Sequence, residues 1–345
     1  MNSCRFFNPK KSLPLPQNSK MVQIGQLVLD GFPLLLAPME DVSDPPFRSL
    51  CKEQQCDLMY TEFVSVEGLI RDADKSLKKI ELYEDERPMG IQIFGAEIES
   101  MIKAVHMIEE VTPDLLDINF GCPVKKVVNK GCGAALLQDI PKMVEMTKRV
   151  VQATQIPVTV KTRLGWNEQS KNVVEVAERL QDIGIQAISI HGRTRSQLYQ
   201  GNADWTLIGE VKNNPRMHIP VFGNGDIDSP QKALEYKNRF GVDGIMIGRA
   251  AIGNPWIFRE IKHFISTGEV FPEPGIEERV RVIRKHLDAG IQWKGLRTGI
   301  MEMRKHYARY LRGYEGIKPY RMALSTEIDL EKIYLVLSEI TENYK

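Results

Sequence analysis

Eight short apolar runs recur along the chain, and nearly all close on a polar or glycine-rich cluster. They cover residues 34–39, 58–65, 89–94, 115–123, 157–163, 187–193, 220–225 and 244–249. The fourth closes as Asn119-Phe120-Gly121-Cys122-Pro123. Short apolar runs bounded by turn signals predict buried strands. Between them, apolar residues recur at spacings of three and four. Val173, Val176, Ala177 and Leu180 are one example, with Gly184 as a stop, and this spacing predicts amphipathic helices. Strands alternating with helices predict an α/β fold with a parallel sheet. Eight such units over about 250 residues predict a (β/α)8 TIM barrel, whose active site lies at the C-terminal ends of its strands. The polar clusters fall at those ends.

The barrel unit is expected over residues 21–266. Residues 22–32 alternate apolar and polar positions around Gly25 and predict a hairpin that plugs the bottom of the barrel. Residues 1–20 are rich in Pro, Asn and Ser and predict a disordered tail. With no sustained apolar stretch, they do not read as a signal peptide. Gly268, Pro272, Pro274 and Gly275 mark 267–275 as a linker, and 276–345 predict an all-helical domain.

Composition narrows the function classes. A chain of 345 residues holds one barrel and a smaller appended domain. Cys4, Cys51, Cys56, Cys122 and Cys132 form no C-x-x-C pair, which argues for a reducing compartment and against disulfides or a zinc site. No apolar run approaches the ~18 residues of a membrane span, so a cytoplasmic protein is expected, with monomer as the default state. Net charge is +1, but residues 276–322 carry twelve Lys or Arg against five acids. That stretch interleaves Arg281, Arg284, Lys285, Lys294, Arg297, Arg304, Lys305, Arg309 and Arg312 with His286, His306, Tyr307, Tyr310 and Tyr314. A basic surface with aromatics fits a phosphate backbone, and a solvated helix face fits the same pattern.

The candidate chemistry gathers at the strand ends. Cys122 follows a glycine and precedes a proline that stops the strand. A thiol with an ordinary pKa near ~8.5 is mostly protonated at neutral pH, which suits a general acid; a buried structural cysteine is the alternative. Phe222-Gly223-Asn224-Gly225-Asp226 and Ile247-Gly248-Arg249-Ala250 close the seventh and eighth runs, where such barrels often bind phosphate. An inward lysine is costly unless paired or placed over a ligand, so Lys161 reads either as a ligand contact or as an ion pair with Asp117 or Glu62. Pro38, Met39, Gln92, Asn119, Lys161, His191, Asn224 and Arg249 converge on one rim. A planar ring over the barrel with its phosphate at strands seven and eight points to FMN, whose reduced ring a lysine stabilises electrostatically. No G-x-G-x-x-G follows an early strand, which argues against a Rossmann site.

Seven segments together resemble the tRNA-dihydrouridine synthases, with the bacterial B-type branch nearest. They are LAPMEDVSDPPFR (36–48), GIQIFG (90–95), DINFGCPVKKVVNKGCGAALL (117–137), VKTRLGW (160–166), HGRTR (191–195), GNGDI (223–227) and GIMIGRAAIGNPW (244–256). The resemblance runs from about residue 31 to 314. It implies an FMN-binding barrel, a helical RNA-binding domain, NADPH as reductant and tRNA as substrate. Carried over by motif, Pro38, Met39, Glu40, Gln92, Lys161, Asn224, Gly225, Asp226, Gly248 and Arg249 hold the flavin, with His191 beside it. Cys122 is the proton donor. Asn119, Arg163 and Arg195 face the substrate. From the basic and aromatic pattern of their stretch, Arg304, Lys305 and Arg309 are expected to hold the RNA. Two positions depart from the common pattern. Glu40-Asp41 stands where many members have a small residue and glycine, so the Glu40 side chain is expected to point away from the phosphate. Cys132 is a thiol not expected in its loop. Two rival readings are a flavin barrel of dihydroorotate dehydrogenase or ene-reductase type and a non-catalytic RNA-binding protein.

Overall fold

The computed structural model describes residues 21–71 and 74–345; the tail expected to be disordered, 1–20, lies outside the described residues. The described residues open with the expected hairpin. β1 (Val22–Ile24) pairs antiparallel with β2 (Leu27–Leu29), turning at Gly25 with φ +60°. Val22, Ile24 and Leu29 are buried with Leu35, Leu58, Phe222 and Met246, closing the floor of the barrel interior.

All eight predicted runs carry strands of one closed parallel barrel. They are β3 (Leu34–Leu36), β4 (Leu58–Tyr60) with its continuation β5 (Val64–Ser65), β6 (Met89–Phe94), β7 (Leu115–Asn119), β8 (Val158–Arg163), β9 (Ala187–His191), β10 (Val221–Asn224) and β11 (Gly244–Ile247). Each pairs with the next, and β11 returns to β3. Several runs end earlier as strands than their apolar content predicts. The first leaves the ladder before Pro38, which has no N–H to donate. The second is interrupted after Tyr60, where the Thr61 hydroxyl accepts the Gln92 N–H at 3.2 Å. The fourth stops at Asn119, where its side chain takes over the bonding of the next turn.

Register sets the upper layer of the barrel. Asn119 lies level with Lys161, Arg163 with His191, and His191 with Asn224. Gln92 lies level with Asp117. Polar side chains from β6 to β10 therefore meet at one height.

The ring of helices comprises α1 (Pro45–Glu53), α2 (Val66–Ile70), α3 (Asp74–Lys79), α4 (Ile98–Glu109), α5 (Lys125–Val128), α6 (Ile140–Ala153), α7 (Val173–Asp182), α8 (Thr206–Asn213), α9 (Pro230–Phe240) and α10 (Ile257–Thr267). In α7 the four residues at spacings of three and four are all buried, as amphipathic packing requires. Four helices follow: α11 (Ile276–Lys294), α12 (Leu296–Tyr310), α13 (Lys318–Thr326) and α14 (Leu330–Asn343). They enclose a second core containing Ile283, Leu287, Tyr307 and Tyr310, which Trp256 and Leu50 join. Among the described residues, no helix is long and apolar enough to cross a membrane.

One expectation for this region needs correction. His286, His306, Tyr307 and Tyr310 are buried rather than interleaved on a basic surface. Met303, His306, Tyr307 and Tyr310 recur at three and four and form the inward face of α12. The two histidines form the seam with the barrel. Their rings lie 4.6 Å apart, and Phe47 of α1 sits 5.5 Å from His286 and 5.1 Å from His306. The Gly253 N–H donates to His306 Nδ1 at 3.2 Å, and His286 Nδ1 lies 3.1 Å from the Tyr310 hydroxyl. Burial pushes His286 down to about 4, opposed by nearby Asp44 and assisted by Lys294 and Lys305. A histidine held neutral in the fold contributes stability that is complete above its unfolded pKa near ~6.5 and is lost as pH falls towards about 4. Urea unfolding is therefore expected to show a loss of about 3 kcal/mol from this group as the pH falls through that window. His286→Phe flattens that part of the profile.

Candidate active site

A cavity of about 510 Å³ opens at the C-terminal mouth of the barrel. It is lined by Pro38, Met39, Glu40, Gln92, Asn119, Cys122, Lys161, Arg163, His191, Asn224, Gly225, Asp226, Gly248, Arg249 and Arg309. Most of the residues singled out from the sequence thus share one wall. Arg195, Arg304 and Lys305 do not line it.

The Cys122 loop is shaped by a chain of side chains. Asn119 Oδ1 accepts from the Gly121 N–H at 2.9 Å and the Cys122 N–H at 2.8 Å. Its Nδ2 donates to Gln92 Oε1 at 2.8 Å, and Gln92 Nε2 donates to Asp117 Oδ2 at 2.6 Å. The Thr159 hydroxyl donates to Asp117 Oδ1 at 2.6 Å. Burial pushes Asp117 up to about 6, while the bonds from Gln92 and Thr159 oppose it. Asn119 is thus committed to holding the turn that presents Cys122. The Cys122 residue is 7% exposed, and burial raises its thiol pKa, so the sulfur keeps its proton at neutral pH.

Arg163 fastens two loops together. Its Nε donates to Gly121 O at 2.7 Å, and its Nη1 donates to Thr194 O at 3.0 Å and Leu198 O at 2.9 Å. Burial lowers it to about 10, so it remains a cation. Lys161 is different. Among the described residues it has no hydrogen-bond or ion-pair partner: Asp117 is taken by Gln92 and Thr159, and Glu62 lies 3.7 Å from Lys79 instead. Burial, then Arg163, lowers the ammonium to about 8, with Asp117 opposing. An anion bound beside it raises that value. Affinity for an anionic ligand is therefore expected to be flat to about pH 7 and to weaken above about 8. Titrating reduced flavin, whose ring carries the negative charge, against pH checks this, and Lys161→Met removes the pH dependence.

The phosphate-side signatures meet around Asp226. Asp226 adopts φ +54° and accepts from Arg193 Nη2 at 2.6 Å, Ala203 N–H at 2.7 Å and Arg249 Nη2 at 3.0 Å. Burial alone raises this carboxyl, but the bonds from Arg193 and Ala203 prevail and hold it below the usual range. Asp226 therefore aims Arg249. Gly225 has φ +123°, and a Cβ there comes within 2.7 Å of Ala203 and 3.0 Å of the His191 ring. Gly248 leaves its backbone bare, with only Ala37 and Met39 at 3.6 Å from a Cβ position. Asn224 Nδ2 donates to Met246 O at 2.8 Å, tying the two glycine strands together.

Two residues here escape sequence reasoning. Arg193 is 2% exposed and, besides Asp226, donates to Gly201 O at 2.6 Å and Gln200 O at 3.2 Å. It also lies 3.2 Å from His191 Nε2. Burial, with Arg163 and Lys161 nearby, pushes His191 well below its usual value, so the ring is neutral and Nε2 accepts from Arg193. The second is Tyr199, an exposed ring on the same loop, 5.0 Å from Arg249 and 5.7 Å from Arg163. An aromatic residue in a polar loop just after H-G-R-T-R was the available signal for Tyr199; a second arginine in that motif was the signal for Arg193.

The remaining sequence candidates lie apart. Arg195 stacks over Trp166 at 4.4 Å. Arg304 donates to Thr326 O at 3.2 Å and Glu327 O at 3.3 Å, and Lys305 donates to Asp41 O. Glu40 turns to Lys79 at 2.6 Å. Cys132 is buried in a small cluster with Cys122 and Val127.

Residues 35–343 match the family model described as Dihydrouridine synthase (Dus). The tRNA-dihydrouridine synthase B of Pseudomonas putida is 42% identical over 300 residues, spanning 87% of this chain and 88% of that protein. A probable tRNA-dihydrouridine synthase of Rickettsia conorii is 36% identical over 330 residues, 94% of this chain and 99% of that one. Among solved structures, a morphinone reductase variant in complex with tetrahydroNAD is similar with a TM-score of 0.53 at 10% identity, covering 71% of this chain and 90% of that one. A 2-naphthoyl-CoA reductase complex gives 0.56 at 12% identity, with 71% and 52% covered. At such low identity these two share the barrel fold alone. The match to the family model and the identity to the curated synthases, each running along most of the chain, place this protein in the dihydrouridine synthase family.

Proposed function

We propose that this chain reduces uridine to 5,6-dihydrouridine in tRNA, with FMN in the barrel mouth and NADPH as reductant. The observation that carries the reading is a protonated thiol, Cys122, in the same wall as an unpaired ammonium, Lys161, and a glycine-flanked cation, Arg249. The names of the relatives support the substrate.

The pocket fits FMN on its own chemistry. The bare backbone at Gly225 and Gly248 and the aimed guanidinium of Arg249 suit a phosphate. Lys161 makes no hydrogen bond or ion pair among the described residues and suits an electron-rich ring edge. Gln92 and Asn224 add polar edges between these two ends. When bound, FMN reduced by NADPH supplies the hydride that reaches carbon 6 of the uracil ring. The protein's part is proton delivery and placement. The Cys122 thiol gives its proton to carbon 5, so the ring double bond becomes single. Asn119 and Arg163 fix the Cys122 loop from either side. The target base has to leave its stack to enter the mouth, which costs a few kcal/mol.

Arg309 is the one residue of the predicted RNA-binding trio that lines the cavity. It reaches the barrel from α12 and suits a backbone phosphate. Arg309→Ala is expected to weaken binding of unmodified tRNA and to lower the salt slope by about one, leaving NADPH reduction of the flavin unchanged. Filter binding at several salt concentrations reads both.

The reading is tested by reoxidation of the reduced enzyme under anaerobic conditions. Unmodified tRNA is expected to reoxidise it rapidly, and free uridine, orotate and enones are not. Rapid reoxidation by a free pyrimidine or enone, with none by tRNA, overturns it in favour of a small-molecule enzyme.

A further inference from the structure

A second cavity, of about 830 Å³, adjoins the first. Both are lined by Glu40, Phe63 and Val124, so the second cavity lies beside the barrel mouth on the side of the C-terminal helices. The second cavity lies between the loops after β4 and β7, helix α3, and the junction of α11 with α12. No residue of the proposed chemistry other than Glu40 reaches into it.

We infer that this cavity receives the nucleotide next to the target uridine in the RNA. The inference rests on the proposed reduction of uridine in tRNA for the identity of the RNA. Its lining divides by chemistry. Trp293, Phe63 and Phe94 give aromatic surface, the latter two edge to face at 5.6 Å. Lys78 and Lys294 lie 4.8 and 5.4 Å from the Trp293 ring. The Trp293 indole N–H is buried with no acceptor among the described residues. On the α5 side, Lys126 and Lys130 are exposed, and neither forms an ion pair among the described residues.

The cavity is not simply basic. The carboxylates of Glu40, Asp41 and Glu62 gather within 4.8 Å of one another. Lys79 partly neutralises them, at 2.6 Å from Glu40 and 3.7 Å from Glu62. Such a wall suits the N–H donors of a nucleobase edge and repels a phosphate, whereas the unpaired Lys126 and Lys130 suit the phosphate. Aromatic floor, acceptor wall and basic rim together match one nucleotide. Extruding a uridine into the barrel breaks its stacking on both neighbours. A stacking surface beside the mouth repays part of that for a neighbour.

The test is the affinity of the FMN-loaded protein for unmodified tRNA across salt concentrations. Trp293→Ala is expected to weaken binding about tenfold, as loss of one stacked base does, with the salt slope unchanged. Trp293→Phe retains near wild-type affinity. Lys126→Ala with Lys130→Ala lowers the salt slope by about two, and these surface positions keep the test valid if the Trp293 variant folds poorly. NADPH reduction of the flavin is unchanged in all three. Wild-type RNA affinity in Trp293→Ala and an unchanged salt slope in the lysine pair overturn the inference. So does a raised KM for NADPH with RNA affinity unchanged, which assigns the cavity to the reductant. If wild-type protein binds tRNA with this pattern but forms no dihydrouridine, the reduction reading fails and the nucleotide site stands.

Discussion

On the proposed function, Cys122→Ala is expected to retain FMN and its reduction by NADPH but to lose about 10²–10⁴-fold in dihydrouridine formation, the range for removal of a positioned proton donor. The expectation follows from how the thiol is held. Two backbone N–H groups of its turn, those of Gly121 and Cys122, bond to Asn119, and the Gly121 carbonyl accepts from Arg163. The side chain faces the cavity from a fixed peptide. Burial raises its pKa, while Arg163 and Lys161 pull the other way. The outcome is a thiol that is protonated at neutral pH and has cations beside it to receive the charge it leaves. Cys122→Ser retains only a weak remnant, because a hydroxyl is a poorer acid. Single-turnover mixing of prereduced enzyme with tRNA separates this step from flavin reduction. Wild-type turnover in Cys122→Ala removes the thiol as the acid and makes Cys132, in the same small cluster, the next cysteine to vary.

Asp226→Ala is expected to lower stability and, on the proposed function, FMN affinity. Arg193 is almost fully buried, and Asp226 is its only ion-pair partner among the described residues, at 2.6 Å. Removing one member of a buried pair leaves an uncompensated charge, at a cost of about 3–5 kcal/mol. The same change frees Arg249 from its 3.0 Å contact and leaves the Ala203 N–H without its acceptor. The phosphate end of the cavity then loses its aim as well as its support. Urea unfolding reads the first effect and FMN titration the second. Asp226→Asn, which keeps an acceptor for Ala203, is expected to lose less. Combining Asp226→Ala with Arg193→Met recovers part of the stability, because no buried charge remains unpaired.

The barrel was legible because its signals are local. Each buried strand is a short apolar run, and the register that follows from closure puts the polar ends at one height. Strand ends were less legible. Asn119 and Thr61 stop or interrupt strands through side-chain bonds that depend on neighbouring strands, and no local pattern encodes them. The candidate site was largely visible as a list, but the division of labour within it was not. Asn119 and Arg163 read as substrate contacts; both line the cavity, and their hydrogen bonds also hold its loops, a second role that no local pattern announces. Arg195 and Arg193 are two residues apart in one motif, yet Arg195 turns to Trp166 and Arg193 turns to Asp226. Only the three-dimensional path of that loop separates them. In α12, the basic and aromatic residues were read as one surface. Helical periodicity instead places the aromatics inward, ties Arg304 and Lys305 to backbone carbonyls, and leaves Arg309 at the cavity.

The most direct test of the central claim is mass spectrometry of nucleosides from unmodified tRNA incubated with the FMN-loaded protein and NADPH. The account predicts dihydrouridine at a defined position, dependent on NADPH and lost in Cys122→Ala. An enzyme whose flavin is reduced by NADPH but which leaves every uridine intact contradicts it.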